Sequence, residues 1–170
     1  MAALQWSDAL VLDAPAMDRT HEEFVVLLAA VEEAEDADLL PRWQALIAHT
    51  DAHFAREDHW MRASGFATGN CHSVQHQVVL HAMREGLAAG RTGELAVVRD
   101  MARQLGLWFV QHAQSMDAGL ALHLRSLGFD METGEPPPAL MRPVCTLQGC
   151  GTAACSSADT LHRAHAAEAG

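Results

Sequence analysis

The sequence predicts an all-α fold, an up-down-up-down antiparallel four-helix bundle with an N-terminal arm and a C-terminal tail. Three observations predict it. Apolar residues recur every three or four positions through four long stretches, the period of one buried helix face. Short connections marked by Gly and Pro separate those stretches, which makes consecutive helices antiparallel neighbours. No run alternates apolar and polar residues with period two, so strands are not expected.

The elements follow in order. The arm, Leu4 to Ala16, holds Trp6 and Pro15 without helical periodicity. A first helix is expected from about Arg19 to Glu35, with His21, Phe24, Val25, Leu28 and Val31 on one stripe. Pro41 suits the first turn of a second helix, where its missing N–H costs nothing. That helix turns Trp43, Leu46, Ile47, Thr50, His53, Phe54, Glu57, Trp60 and Met61 inward and ends at Gly65. Asn70 can cap a third helix, whose stripe is His72, His76, Val79, Leu80, Met83 and Leu87 and which closes near Gly90. The fourth runs from about Glu94 to Leu127 and carries Leu105, Phe109, His112, Met116, Leu120 and Leu124 inward. Gly128 follows it, a residue suited to a left-handed cap.

From Met131 the composition changes. Pro136-Pro137-Pro138 leads into a stretch rich in Gly, Ser, Cys and Ala. The expected division is a bundle over residues 1–130 and an appended flexible tail over 131–170, with at most a short helix near 159–167. The acidic run from Glu32 to Asp38 is most simply a solvated helix end.

Bulk properties narrow the class. A chain of 170 residues, 49% of them hydrophobic, has room for one domain with a real core. No apolar run reaches the ~18 residues of a membrane span. The stretch from Met1 to Asp13 has no basic segment and no long apolar one, so no export signal is expected. A formal charge of −11 argues against a nucleic-acid partner, because a phosphate backbone needs a basic face. Reduced thiols are then the default for Cys71, Cys145, Cys150 and Cys155. The expectation is a soluble, cytoplasmic, acidic protein, monomeric by default.

Seven polar residues break the apolar stripes where a bundle normally places Leu: His21, His53, Glu57, His72, His76, His112 and Asp117. His53–Glu57 and His72–His76 are i,i+4 pairs, each about 40° apart on one helix face. A carboxylate such as Glu57 on that stripe carries a heavy desolvation cost unless it is paired. A metal cation removes the cost and explains why imidazoles accompany it. A single inward histidine is usually a hydrogen-bonded core residue, but five of them on four helices with two carboxylates point jointly to metal. His112 and Asp117 are the awkward pair, because five residues place them about 140° apart on an ideal α-helix. Either they flank opposite edges of the stripe, or a π-turn brings them together; an over-wide helix between them is the expectation.

Imidazole with carboxylate suits iron, zinc or manganese. Zinc usually stops at four ligands, which leaves seven in excess. Two irons with two bridging carboxylates use all seven and leave one coordination position open. The ferritin-like class relies on Glu-x-x-His motifs, and no Glu here has a His three residues later. The chain has no Tyr, which excludes a tyrosyl-radical enzyme.

These residues resemble the hemerythrin family, in its single-domain bacterial form. The matching pieces are Asp18-x-x-His21, His53-Phe54-x-x-Glu57-Asp58-x-x-Met61, His72-x3-His76 and Trp108-x3-His112-x4-Asp117, with Trp6 upstream, covering about residues 4–130. The resemblance implies a non-haem di-iron centre that binds O2 reversibly. It implies that His72, His76 and His112 hold the saturated iron, and that His21 and His53 hold the iron with the open position. Glu57 and Asp117 would bridge the two, with an oxo or hydroxo group as third bridge. Phe24, Phe54 and Phe109, by their stripe positions, are expected to keep water out. Asp58 stands where the family often has a second Glu, and it is expected to face outward and matter little.

Residues outside the seven read more plainly. His49, His59, His81 and His123 fit surface roles or hydrogen bonds to a ligand imidazole. Cys71 precedes His72 at a helix start, where a thiol can become more acidic, although a plain small residue explains it as well. Cys145-x4-Cys150-x4-Cys155 and His162-x2-His165 lack ordinary zinc-knuckle spacing; incidental thiols are the plain reading, a further metal or redox site the sharp one. The function expected is O2 storage or delivery to an oxygen-requiring enzyme, not catalysis. The alternatives are a sensor of O2, NO or redox state acting through the Cys-rich tail, or a di-iron enzyme consuming NO or peroxide.

Overall fold

The structure is a computed structural model that describes residues 4–66 and 71–137, together with the backbone of 146–148 and 152–154. After a 3-10 turn at Asp8–Leu10, five helical segments follow: α1 (Pro15–Glu32), α2 (Asp36–Ser64), α3 (Cys71–Arg91), α4 (Leu95–His112) and α5 (Ala118–Leu127). A π-helical segment, Ala113–Asp117, joins α4 to α5, so these three pieces form the fourth helix of an antiparallel bundle. The segment lies where the His112–Asp117 spacing asks for a wider helix.

Two helices begin earlier than their apolar stripes suggest. Pro15 belongs to the first turn of α1 rather than to the arm. The Asp18 carboxylate explains the start: it accepts from Leu12 N–H at 2.8 Å and Ala14 N–H at 2.9 Å, tying the arm to the helix end. α2 begins at Asp36, with Pro41 inside it. Asp36 and Asp38 lie in that first turn, where the helix dipole favours acidic side chains. Gly65 and Gly128 then end α2 and α5 with φ of 71° and 65°, conformations an L side chain resists. Asn70, the expected cap of α3, lies outside the described residues.

Two apolar clusters fill the bundle. The larger holds Phe24, Leu28, Val31, Trp43, Leu46, Met83, Val98, Leu105 and Phe109. Trp43 is fully buried there, and its indole N–H donates to Met83 O at 3.0 Å, as a buried indole requires. The smaller holds Met17, Trp60, Met61, Leu120, Leu124 and Phe129. Chain order along α1, α2 and the fourth helix places the polar positions between the two clusters. At the other end of the bundle, a Cβ on Gly90 would come within 2.5 Å of Leu40 Cδ2 and 2.9 Å of Val98 Cγ2. A larger residue there would require the ends of the Leu40 and Val98 side chains to shift.

The beginning of the tail is part of this packing. Phe129 is buried, Met131 packs against the smaller cluster, and Gly134 N–H donates to Asp130 O at 2.8 Å to close a turn. His59 donates to Gly134 O at 3.2 Å, and Arg19 pairs with Glu132. Farther on, Thr146–Gln148 (β1) and Thr152–Ala154 (β2) form an antiparallel ladder with Leu147 opposite Ala153. This hairpin was not expected; three-residue strands are too short to display a period-two pattern. The expected helix near 159–167 lies outside the described residues. No helix among the described residues is long and apolar enough to cross a membrane.

Candidate metal centre

Four helices bring the seven expected residues to one place. His21 comes from α1, His53 and Glu57 from α2, His72 and His76 from α3, His112 from the end of α4, and Asp117 from the end of the π segment. Each is at most 2% exposed.

The two carboxylates divide their oxygens between two groups of imidazoles. Glu57 Oε1 lies 3.0 Å from His53 Nε2 and 3.8 Å from His21 Nε2. Its Oε2 lies 3.4 Å from His72 Nε2 and 3.3 Å from His76 Nε2. Asp117 does the same: Oδ2 is 3.2 Å from His21 Nε2, while Oδ1 is 3.0 Å from His72 Nε2 and 3.2 Å from His112 Nε2. One group therefore has three imidazoles and the other two, with one oxygen of each carboxylate turned to each group. His76 Nε2 and His112 Nε2 approach to 3.2 Å, and all five Nε2 atoms point into the same interior.

The donor set fits a cation. His21 Nε2, His72 Nε2, Glu57 Oε2 and both Asp117 oxygens are buried without a hydrogen-bond partner, a costly arrangement among protein groups alone. One ligand atom from each of Glu57, His72, His76, His112 and Asp117 lies within 4.8 Å of the rest, as do those of His21, His53 and Glu57. Each set is compact enough for one ion.

Charge in the protein itself is balanced around the carboxylates. Burial pushes His21 and His72 down, but Asp117 and Glu57 outweigh it and raise both to about 9. Burial likewise opposes ionisation of Glu57, yet the surrounding imidazoles hold it well below the usual carboxylate range. Asp117 is held low in the same way by His112, His21 and His72, against burial and the charge of Glu57. His53 is lowered, burial prevailing over Glu57.

Aromatic rings wall the site. Phe54 stacks on His76 at 3.9 Å between centroids, and Trp108 stacks on His112 at 4.4 Å. Phe109 meets His21 edge-on at 5.2 Å and itself stacks on Phe24 at 4.4 Å. Phe54 and Phe109 thus touch ligand-type rings directly, whereas Phe24 acts through Phe109.

Asp58 departs from expectation. Its Oδ1 accepts from His76 Nδ1 at 3.1 Å and from Ser73 Oγ at 3.1 Å. It lies about 100° from Glu57 around α2, and the packing of α3 against that flank is what brings His76 to it. Gln75 Oε1 similarly accepts from His112 Nδ1 at 3.2 Å, a contact with no signal in the sequence. By contrast, Nδ1 of His21, His53 and His72 has no partner. The remaining histidines are plain: His49 donates to Thr20 O at 3.1 Å and His123 to Ser64 O at 3.2 Å. Cys71 is disulfide-bonded, which differs from the reduced thiol expected for it. Cys145, Cys150, Cys155, His162 and His165 lie outside the described residues.

Comparison with known proteins identifies the family. The Hemerythrin HHE cation binding domain matches residues 13–122. The chain belongs to the hemerythrin family. A bacteriohemerythrin of Ralstonia nicotianae is 39% identical over 130 residues, 76% of this chain and 95% of that protein. Bacteriohemerythrins of Pseudomonas paraeruginosa and Pseudomonas aeruginosa are each 26% identical over 123 residues, 70% of this chain and 80% of theirs. No solved structure matches significantly. For a hemerythrin-family chain, the buried His/Glu/Asp cluster is the part able to hold metal.

Proposed function

We propose that the chain holds two iron ions and binds O2 reversibly, for storage or for delivery to an oxygen-consuming enzyme. The observation that carries this reading is the unequal sharing of five imidazoles by two carboxylates, each turned to both groups. His72, His76 and His112 would hold one iron, with one oxygen from each of Glu57 and Asp117. His21 and His53 would hold the second with the remaining oxygens. The pair His21 and His53 offers one imidazole fewer than the other group, which would leave a place for a diatomic ligand at a metal held there. Two irons held there would supply the electrons that O2 takes up on binding and gives back on release.

The chain's own residues supply the surroundings. Glu57 and Asp117 bring two fully buried negative charges to the site, and the imidazoles complete the donor set. Phe54, Trp108 and Phe109 cover the rings and limit water, which favours return of O2 over loss of an oxidised product. The histidine-rich donor set carries less negative charge than a carboxylate-rich one and supports high-valent iron less well, which favours a binder over an enzyme. We read residues 1–130 as the metal-binding unit, monomeric and without a nucleic-acid partner, and 131–170 as an appended tail.

The test is anaerobic reduction followed by air, watched by visible absorption with iron counted per chain. Two irons and a charge-transfer band that appears with air and vanishes under vacuum are expected. Immediate oxidation with no reversible band would overturn the carrier reading, and rapid consumption of NO or peroxide would replace it with an enzyme.

Cys71 favours one second reading, a redox-responsive sensor. Its disulfide adjoins His72 in the chain, so opening that bond acts one residue from a metal-ligating position. Equal spectra and equal autoxidation before and after treatment with a dithiol would exclude it.

A further inference from the structure

We infer that Asp58 is a positioning residue of the metal centre, which orients His76 and strengthens it as a donor by accepting its Nδ1–H. The inference rests on the di-iron reading above. His76 presents Nε2 to Glu57 at 3.3 Å and Nδ1 to Asp58 at 3.1 Å, from opposite sides of one ring. A carboxylate can only accept there, so the proton belongs on Nδ1 and the Nε2 lone pair faces the interior. Ser73 donates to the same Asp58 oxygen, and Phe54 stacks on the imidazole within 5° of parallel. The ring is therefore held in its plane by one contact and against rotation by the other.

The support is unevenly distributed. Among the described residues, His76 has an anionic acceptor on Nδ1 and His112 has the neutral Gln75. His21 and His53, the imidazoles of the other group, have no Nδ1 partner. His72 in the three-imidazole half has no Nδ1 partner either, so bracing falls on two of its three rings, and among the described residues the bracing charge is that of Asp58. A groove of about 300 Å³ between α2 and α3 reaches this point, with Asp51, Phe54, Leu80 and Arg84 on its walls beside Asp58 and His76. Asp58 is 24% exposed, so the centre's electrostatic support meets solvent through this residue. An anionic acceptor gives the imidazole partial imidazolate character, which raises its basicity toward metal and favours ferric over ferrous iron.

Three proteins test this: wild type, Asp58→Asn and Asp58→Glu, each checked for the helical circular-dichroism signal. Cobalt(II) affinity is measured by competition titration, and the midpoint potential of the iron-loaded protein by spectroelectrochemistry. Asp58→Asn keeps the shape but removes the charge; it is expected to lose about 10–100-fold in cobalt affinity and to shift the potential upward. Asp58→Glu restores a carboxylate and is expected to recover most of both. An Asn variant matching wild type in affinity and potential, or a Glu variant as impaired as Asn, would overturn the inference while leaving the metal centre standing. A wild-type chain that takes up neither cobalt nor iron would overturn the di-iron reading and this inference with it.

Discussion

His112 Nε2 lies 3.2 Å from Asp117 Oδ1 although the two stand five positions apart on one helix. The π-helical segment Ala113–Asp117 is what brings them together. A π-turn inserts one residue without changing which face the following helix presents, so α5 still buries Leu120 and Leu124. The site and the core beyond it depend on the same local widening.

Removing one residue from that segment tests the point. Deletion of Ser115, an exposed position, converts the spacing to i,i+4 on an ordinary α-helix, about 40° apart. The shortened chain is expected to fold and to keep its metal, with a stability change within about 1 kcal/mol. Insertion of an Ala after Gln114 turns Asp117 about 100° away and is expected to abolish metal uptake. Iron per chain and thermal melts of both variants decide it; metal loss in the deletion would mean that the widened turn itself is needed.

Glu57 turns one oxygen to each imidazole group. Glu57→Ala is therefore expected to lower iron well below two per chain and to weaken both positions together. Two irons with an unchanged spectrum in that variant would show that the carboxylate does not join them. Asp117→Ala should behave alike, because its oxygens divide the same way.

Phe54 stacks on His76 and is 3% exposed. Phe54→Ala empties a core position and is expected to cost about 3–5 kcal/mol in a denaturant melt. It should also speed loss of the reduced state in air by admitting water to the ring. Phe54→Leu retains most of the volume and separates the two effects: stability mostly recovered, autoxidation still faster.

The metal-free protein should have its own pH profile. His21 and His72 are raised to about 9 from 6.5, so their contribution to stability is complete below 6.5 and is lost as pH rises through 9. Glu57 and Asp117 are lowered from 4.5 and 3.8, so theirs is present above those values and is lost as pH falls below them. Thermal melts of the chelator-treated chain should peak near neutral to mildly acidic pH and fall on the alkaline side. Metal uptake must displace the imidazole protons and should strengthen over that same alkaline window. A flat profile from pH 6.5 to 9 would contradict both statements.

The four helices, the inward side of each and the seven polar positions were legible in the residues alone. Helical period constrains the angle of a residue about its own axis, and polar residues such as His53 and Glu57 on an apolar stripe stand out against that constraint. The sequence also pointed to a widened turn before Asp117, since residues five positions apart lie about 140° apart on an ideal α-helix, although placement on opposite edges of the stripe stayed open. It misjudged where α1 and α2 begin, because Asp18 acts on the arm and Pro41 was tolerated inside a helix nucleated upstream. Which carboxylate oxygen meets which imidazole, and the bracing of His76 and His112 by Asp58 and Gln75, came from the packing of the helices. Those contacts cross between helices, and their distances depend on how far apart the axes lie and how each helix is rotated, quantities that the period along one chain segment does not contain.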